Sequence, residues 1–276
     1  SVVKDHKFTW FREFLERTSG IVITKEKAYL VKSRLQPILT KHDADDLNAL
    51  ILKIKLQESS KLAAEAIDLM TTNETLFFRD GYPFEALKHH ILPEINQKKG
   101  MSSPIKIWSA ASSRGQEAYS IAMTACEAMS NAKQRIQIVG TDLSVESVAF
   151  AKLGTYSDIE VKRGVSMGRL KQFFRPVGPS WVVNDDLRAM TSFDEANLVS
   201  NTLPGQMRRF GSFDVVFLRN VLIYFSIEER RRVIDRIART MCKGGYLITG
   251  AADFPEGNIS KWERVDVQGQ RIWRLC

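Results

Sequence analysis

The spacing of apolar positions changes once along this chain, near residue 100. Before that point apolar residues recur every three or four positions. Phe8, Phe11, Phe14 and Leu15 keep helical spacing, and Ser19-Gly20 closes their segment. Thr24 reads as the N-cap of a second helix whose stripe is Ala28, Val31, Leu35 and Ile38, and Pro37 should bend or end it. Residues 44–57 and 60–71 carry two further helical patterns, with no strand-like alternation among them. FEALKHHILPEI is another helical stretch. The polar run NQKKGMSSP at 96–104 reads as a linker or surface loop.

Past that loop the texture is different. IKIWSAA, IQIVGTD, FDVVFLRN and GGYLITGAA are short apolar runs bounded by turn signals, which suits buried parallel strands. Helical segments stand between them: Gln116 to Met129, SVESVAFAKLG and IEERRRVIDRIARTM. WERVDVQGQRIWRLC reads as a closing hairpin around Gln268-Gly269. Strands alternating with helices predict an α/β fold with an open, doubly wound parallel sheet. Segment 160–195 breaks the alternation. It holds a helical piece at about 162–174, then RPVGPSWVVND and MTSFDEA, and is expected to be an insertion of short strands and turns. The expected organisation is a helical domain over 1–80, a helix and linker over 81–104, and the sheet domain over 105–276.

Composition narrows the classes. Of 276 residues 44% are hydrophobic, enough to bury a sizeable core. The formal net charge of +8 favours an anionic partner (nucleic acid, a membrane surface or an acidic protein) or serves solubility alone. Cys126, Cys242 and Cys276 are odd in number and far apart, which argues against a disulfide framework or a zinc site and fits the cytoplasm. His6, His42, His89 and His90 form no ligand-like pattern, so no metal is expected. The start, SVVKDHKFTWF, lacks the apolar run of a signal peptide, and no stretch approaches the ~18 apolar residues of a membrane helix.

In such sheets the ligand lies beyond the carboxyl ends of the strands. IKIWSAA is followed there by SSRGQE. Gly115 lets backbone approach a ligand, and Glu117 either binds a cationic group or is a routine partner of the helix dipole. Asp142 ends IQIVGTD; an acid there grips a ribose diol or caps the next helix, and the strand context favours the first. Arg219 and Asn220 end the third strand facing the cleft, where Asn220 can both donate and accept. Tyr224 follows on an aromatic turn and otherwise packs with Phe225. In TTNETLFFRD a cap at Thr72 or Asn73 explains the Asn but not why Arg79 follows two phenylalanines.

Five words taken together, TTNETLFFRD, IKIWSAASSRGQEAYSIAM, IVGTDLS, FDVVFLRNVLIYF and GQRIWRL, resemble the chemotaxis receptor methyltransferases, the CheR family, in family order and over nearly the whole chain. The resemblance implies a Rossmann-like class I methyltransferase sheet, an N-terminal all-helical domain and a small inserted β-subdomain. It implies S-adenosyl-L-methionine as cofactor, S-adenosyl-L-homocysteine as product, and methyl esterification of receptor glutamates. By motif position Asn73, Thr75, Arg79, Glu117, Asp142, Asn197, Leu198, Arg219 and Asn220 look like the cofactor set, and Arg79 and Tyr224 also line the methyl-transfer site. Two words depart from the family: GQEAYS stands where G-E-E-P-Y-S is usual, and GAAD (250–253) where G-H-S-E is usual.

The basic charge then has a candidate purpose. Lys25, Lys27, Lys32 and Arg34, with Lys41 nearby, are expected to dock the glutamate-rich cytoplasmic helices of a receptor, or simply to form a solvated face. A nucleic-acid methyltransferase lacks support, for want of an N-P-P-Y-like tetrapeptide or aromatic-basic interleaving. A cofactor-binding signalling adaptor is the other rival. No membrane insertion is expected, and a monomer is the default.

Overall fold

Four helices carry the N-terminal pattern: α1 (Asp5–Ser19), α2 (Ala28–Leu35), α3 (Leu47–Leu56) and α4 (Lys61–Met70). The computed structural model describes residues 3–72, 74–251, 253 and 259–276. Gly20 ends α1 at φ 77°, where a side chain is disfavoured, and donates its N–H to Glu16 O. Asp46 and Ser60 cap α3 and α4 through their side chains. Thr24 makes no such cap. A 3₁₀ turn, Lys25–Lys27, precedes α2, and Pro37 falls in the turn that ends it. Phe11, Phe14, Leu15, Val31, Leu35, Leu50 and Ile54 fill one core.

The chain forms two compact units, Ser1–Asn73 with Tyr224–Glu229, and Glu74–Ile223 with Arg230–Cys276. The two units part at 73/74. Helix α5 (Tyr82–Ala86), a π-turn (Leu87–Ile91) and α6 (Leu92–Lys99) bury Phe84, Leu87, Ile91, Leu92 and Ile95 in the core of the second unit. The π-turn has a local cause: Pro93 has no N–H to give His89, and the widened turn relieves its ring.

Among the described residues ten strands follow: β1 (Ile105–Ser109), β2 (Ile136–Asp142), β3 (Thr155–Ser157), β4 (Phe174–Val177), β5 (Ser180–Val183), β6 (Thr191–Glu195), β7 (Phe213–Leu218), β8 (Met241–Thr249), β9 (Trp262–Val267) and β10 (Gln270–Leu275). Between them run α7 (Gln116–Ala128), α8 (Ala132–Arg135), α9 (Val145–Leu153), α10 (Asp158–Lys162), α11 (Met167–Phe173), α12 (Asp185–Ala189), α13 (Leu203–Met207) and α14 (Ile227–Ala238). The main sheet has the order β6-β2-β1-β7-β8-β10-β9. Its first five strands are parallel and the C-terminal hairpin is antiparallel. Every residue of β7 is buried, as a central strand covered on both faces requires. The order reverses between β1 and β7, which puts the ligand crevice at their carboxyl ends.

The inserted segment also differs from expectation. Its small antiparallel sheet, β3-β5-β4, begins at Thr155, before 160, while Thr191–Glu195 lies outside it as β6, parallel to β2. Only Phe193 of β6 is buried, as befits an edge, so its sequence lacks the apolar run of a central strand. Phe77 joins the insert to the loop before α5. Its ring meets Tyr156 and Phe174 edge-on at 4.9 and 5.7 Å. Its carbonyl oxygen lies 2.1 Å from where a Cβ on Gly164 would stand. Gly164→Ala is accordingly expected to cost about 2 kcal/mol or more, read as a lower midpoint in denaturant titration.

Candidate active site

The turn after β1 is held from two sides. Ala110 N–H donates to Phe217 O at 2.9 Å, and Ser112 N–H to Thr141 O at 2.8 Å. Ser113 and Gly115 take φ 48° and 98°. Asp142, at the end of β2, accepts from Ser113 N–H at 2.8 Å and from Ser144 N–H at 3.0 Å. These bonds fix the orientation of the carboxylate.

Glu117 lies in the first turn of α7. Ser109 Oγ donates to its Oε1 at 2.7 Å, and Arg219 Nη1 reaches its Oε2 at 3.2 Å. Burial pushes the Glu117 carboxyl above its usual range, while Arg219, Ser109 and the charge of Arg79 pull it back. The Arg219 side chain is 1% exposed. Its Nη2 also donates to Asp80 Oδ2 at 2.8 Å and to Arg79 O at 2.9 Å. Asn220 follows at φ 59°, its N–H donated to Asp253 Oδ2 at 2.6 Å. Burial raises the Asp253 carboxyl as well.

The remaining expected residues lie on other elements of the two units. Thr75 and Arg79 are half-buried on the loop before α5, with Arg79 Nη1 bonded to Glu74 O at 3.0 Å. Asn197 and Leu198 follow β6, which Ala196 N–H ties to Asp142 O at 3.0 Å. Leu198 is buried, and Asn197 Oδ1 accepts from Val199 N–H at 3.2 Å. Asn73 lies outside the described residues. Tyr224 belongs to the helical unit: it packs on that core, and its carbonyl accepts from Val22 N–H at 2.9 Å. Lys25, Lys27 and Lys32 are exposed on the helical unit. Arg34 is half-buried, and its Nη1 donates to Met70 O at the end of α4, 2.8 Å away. A groove of about 400 Å³ there is lined by Val3, Asp5, Phe8, Thr9, Lys25, Ala28, Tyr29 and Lys32.

Sequence reasoning passed over Ser109, Asp80 and Asp253. Only the polar end of FFRD and the acid closing GAAD hinted at the last two. Arg219→Met leaves Glu117 buried without its cation and should cost about 3 kcal/mol near neutral pH. A carboxyl whose folded pKa lies above its unfolded one loses stability as pH rises through that interval. Removing Arg219 lifts the folded value further. The loss, measured by denaturant titration, should therefore shrink as pH falls and Glu117 takes up its proton.

A family profile described as "CheR methyltransferase, SAM binding domain" matches residues 73–268, and one described as "CheR methyltransferase, all-alpha domain" matches residues 6–71. The chain is 42% identical over 251 residues to chemotaxis protein methyltransferase 1 of Pseudomonas aeruginosa, covering 89% of each chain. It is 38% identical over 277 residues to the chemotaxis protein methyltransferase of Vibrio parahaemolyticus, covering 99% of this chain and 98% of the relative. The residues present fit the cofactor this implies. Ser113 Oγ, Gln116 Oε1 and Arg219 Nε are buried without a hydrogen-bond partner at or beside the β1 turn and the end of β7. Two carboxylates, Glu117 and Asp142, suit an ammonium and a ribose diol. With profiles spanning both units and relatives matched nearly end to end, the chain belongs to the CheR methyltransferase family, with S-adenosyl-L-methionine as its cofactor.

Proposed function

We propose that this chain esterifies glutamate side chains on the glutamate-rich helices of chemotaxis receptors, leaving S-adenosyl-L-homocysteine. The observation that carries the reading is the buried Glu117–Arg219 pair beside Asp142, in a chain whose near full-length relatives are named chemotaxis protein methyltransferases. When bound, the cofactor supplies a methyl group on a positively charged sulfur.

A glutamate carboxylate, with a reference pKa of about 4.3, is ionised near neutrality and needs no general base. The protein's task is positioning. Glu117 receives the cofactor's ammonium, and Arg219 keeps that carboxylate charged and aimed. Asp142, oriented by its bonds to the Ser113 and Ser144 amides, takes the ribose hydroxyls. Asn73, Thr75, Asn197, Leu198 and Asn220 complete the adenosyl site. Arg79 neutralises a carboxylate, and Tyr224 orients the substrate carboxylate through one oxygen, leaving the other to react.

Transfer of radiolabelled methyl groups to receptor-containing membranes, followed by mild base, tests the reaction. Label released as methanol is the expected result. Base-stable label would point to amine or nucleic-acid methylation instead, and no label with cofactor binding intact would favour an adaptor. The docking role rests on the exposed Lys25 and Lys32, which line the groove beside Tyr29. Lys25→Glu with Lys32→Glu should raise KM for the receptor roughly three- to tenfold at low ionic strength. The difference should close by about 0.5 M salt. An equal KM at low salt removes the docking role.

A further inference from the structure

No residue of the small sheet is assigned to the cofactor, yet its contacts end on loops that are. Tyr156, on β3 and 1% exposed, donates its hydroxyl to the Arg114 carbonyl at 2.7 Å. Burial raises its phenol well above the usual range, so it stays a donor at neutral pH. That carbonyl begins the Gly115 turn, from which α7 leads to Glu117. A Cβ on Gly115 would stand 2.9 Å from both Tyr156 Oη and Ala151 Cβ, so the turn is seated against this hydroxyl. The same ring meets Phe77 at 4.9 Å, and Phe77 leads into Arg79 and Asp80. The insert also grips Arg114 directly: Glu160 pairs with its guanidinium at 2.8 Å.

We propose that Tyr156 is a positioning residue for cofactor binding, fixing the Arg114–Gly115 turn through its hydroxyl and the Phe77–Asp80 loop through its ring. The proposal rests on the reading that the Ser113–Glu117 turn and Asp142 face the cofactor. A turn released from this hydroxyl spends part of its time outside the competent arrangement, and apparent affinity falls by that fraction. One net hydrogen bond corresponds to about fivefold.

The test is Tyr156→Phe in the full chain, which keeps the ring and removes one oxygen, with Asp142→Ala beside it. S-adenosyl-L-homocysteine affinity is measured by calorimetry, KM and kcat are measured with S-adenosyl-L-methionine and receptor membranes, and Tm is recorded for each variant. The expected result is a Kd raised about three- to tenfold with a matching rise in cofactor KM and kcat unchanged at saturation. A lower Tm with Kd and KM unchanged, while Asp142→Ala weakens binding, makes Tyr156 purely structural and overturns the proposal. Unchanged binding in Asp142→Ala overturns the site reading and the proposal with it. Should Tyr156→Phe not fold, Glu160→Gln carries the same expectation in smaller degree, and an unchanged affinity there is equally fatal.

Discussion

A guanidinium stripped of its water must be surrounded by anions, and Arg219 draws them from two distant parts of the chain. Glu117 comes from the first turn of α7, and Asp80 from the loop before α5. Because Ser109 of β1 holds the other Glu117 oxygen, one charge network joins β1, α7, β7 and the Phe77–Asp80 loop. Burial drives the Glu117 carboxyl towards neutrality while the guanidinium and hydroxyl draw it towards the anion. The carboxylate is therefore sensitive to any further positive charge that reaches it.

Around that network the backbone is strained. Phe78, Asp80, Ser113 and Asn220 all take left-handed φ values, a conformation costing a side-chain-bearing residue about 1–2 kcal/mol. Three of the four have their N–H anchored by a side-chain oxygen from another element. Ser120 Oγ holds Phe78 at 3.0 Å, Asp142 holds Ser113 at 2.8 Å, and Asp253 holds Asn220 at 2.6 Å. The crevice at the β1–β7 reversal thus has loops shaped before any ligand arrives, and less ordering is left for binding to do.

Much of this was legible in the chain, for reasons that also mark where legibility ends. Buried parallel strands announce themselves as apolar runs, as FDVVFL does, and the helical stripes of the first unit keep their period. The edge strand TSFDE and the three-residue TYS offer no comparable signal. Glu117, Asp142 and Arg219 could be found because a polar residue directly after an apolar run lies at a strand end. Asp80 acts on Arg219 across 139 residues of chain, and Tyr156 on Arg114 across 42, and no local pattern encodes such meetings. GAAD stands out in the sequence only as a departure from the family, and its Asp holds the Asn220 turn. Tyr224 reads from the sequence as part of an aromatic turn after the third strand, and its ring packs with the helical unit.

The insert leaves the host crossover at Gly154 and returns at Val183, and those two residues are joined by a hydrogen bond of 2.9 Å. The β2-to-β6 connection therefore sees a closed neck instead of a long open excursion, and the loop-closure entropy is contained within the insert. Tyr156 lies on β3, on one flank of the small sheet, while the exposed residues 175–177 of β4 and the turn at Gly178 lie on the other. Insertions, deletions and sequence drift can accumulate along that outer flank without reaching the crevice. Evolution has in this neck a place where a new recognition surface can be grafted onto an old catalytic chassis.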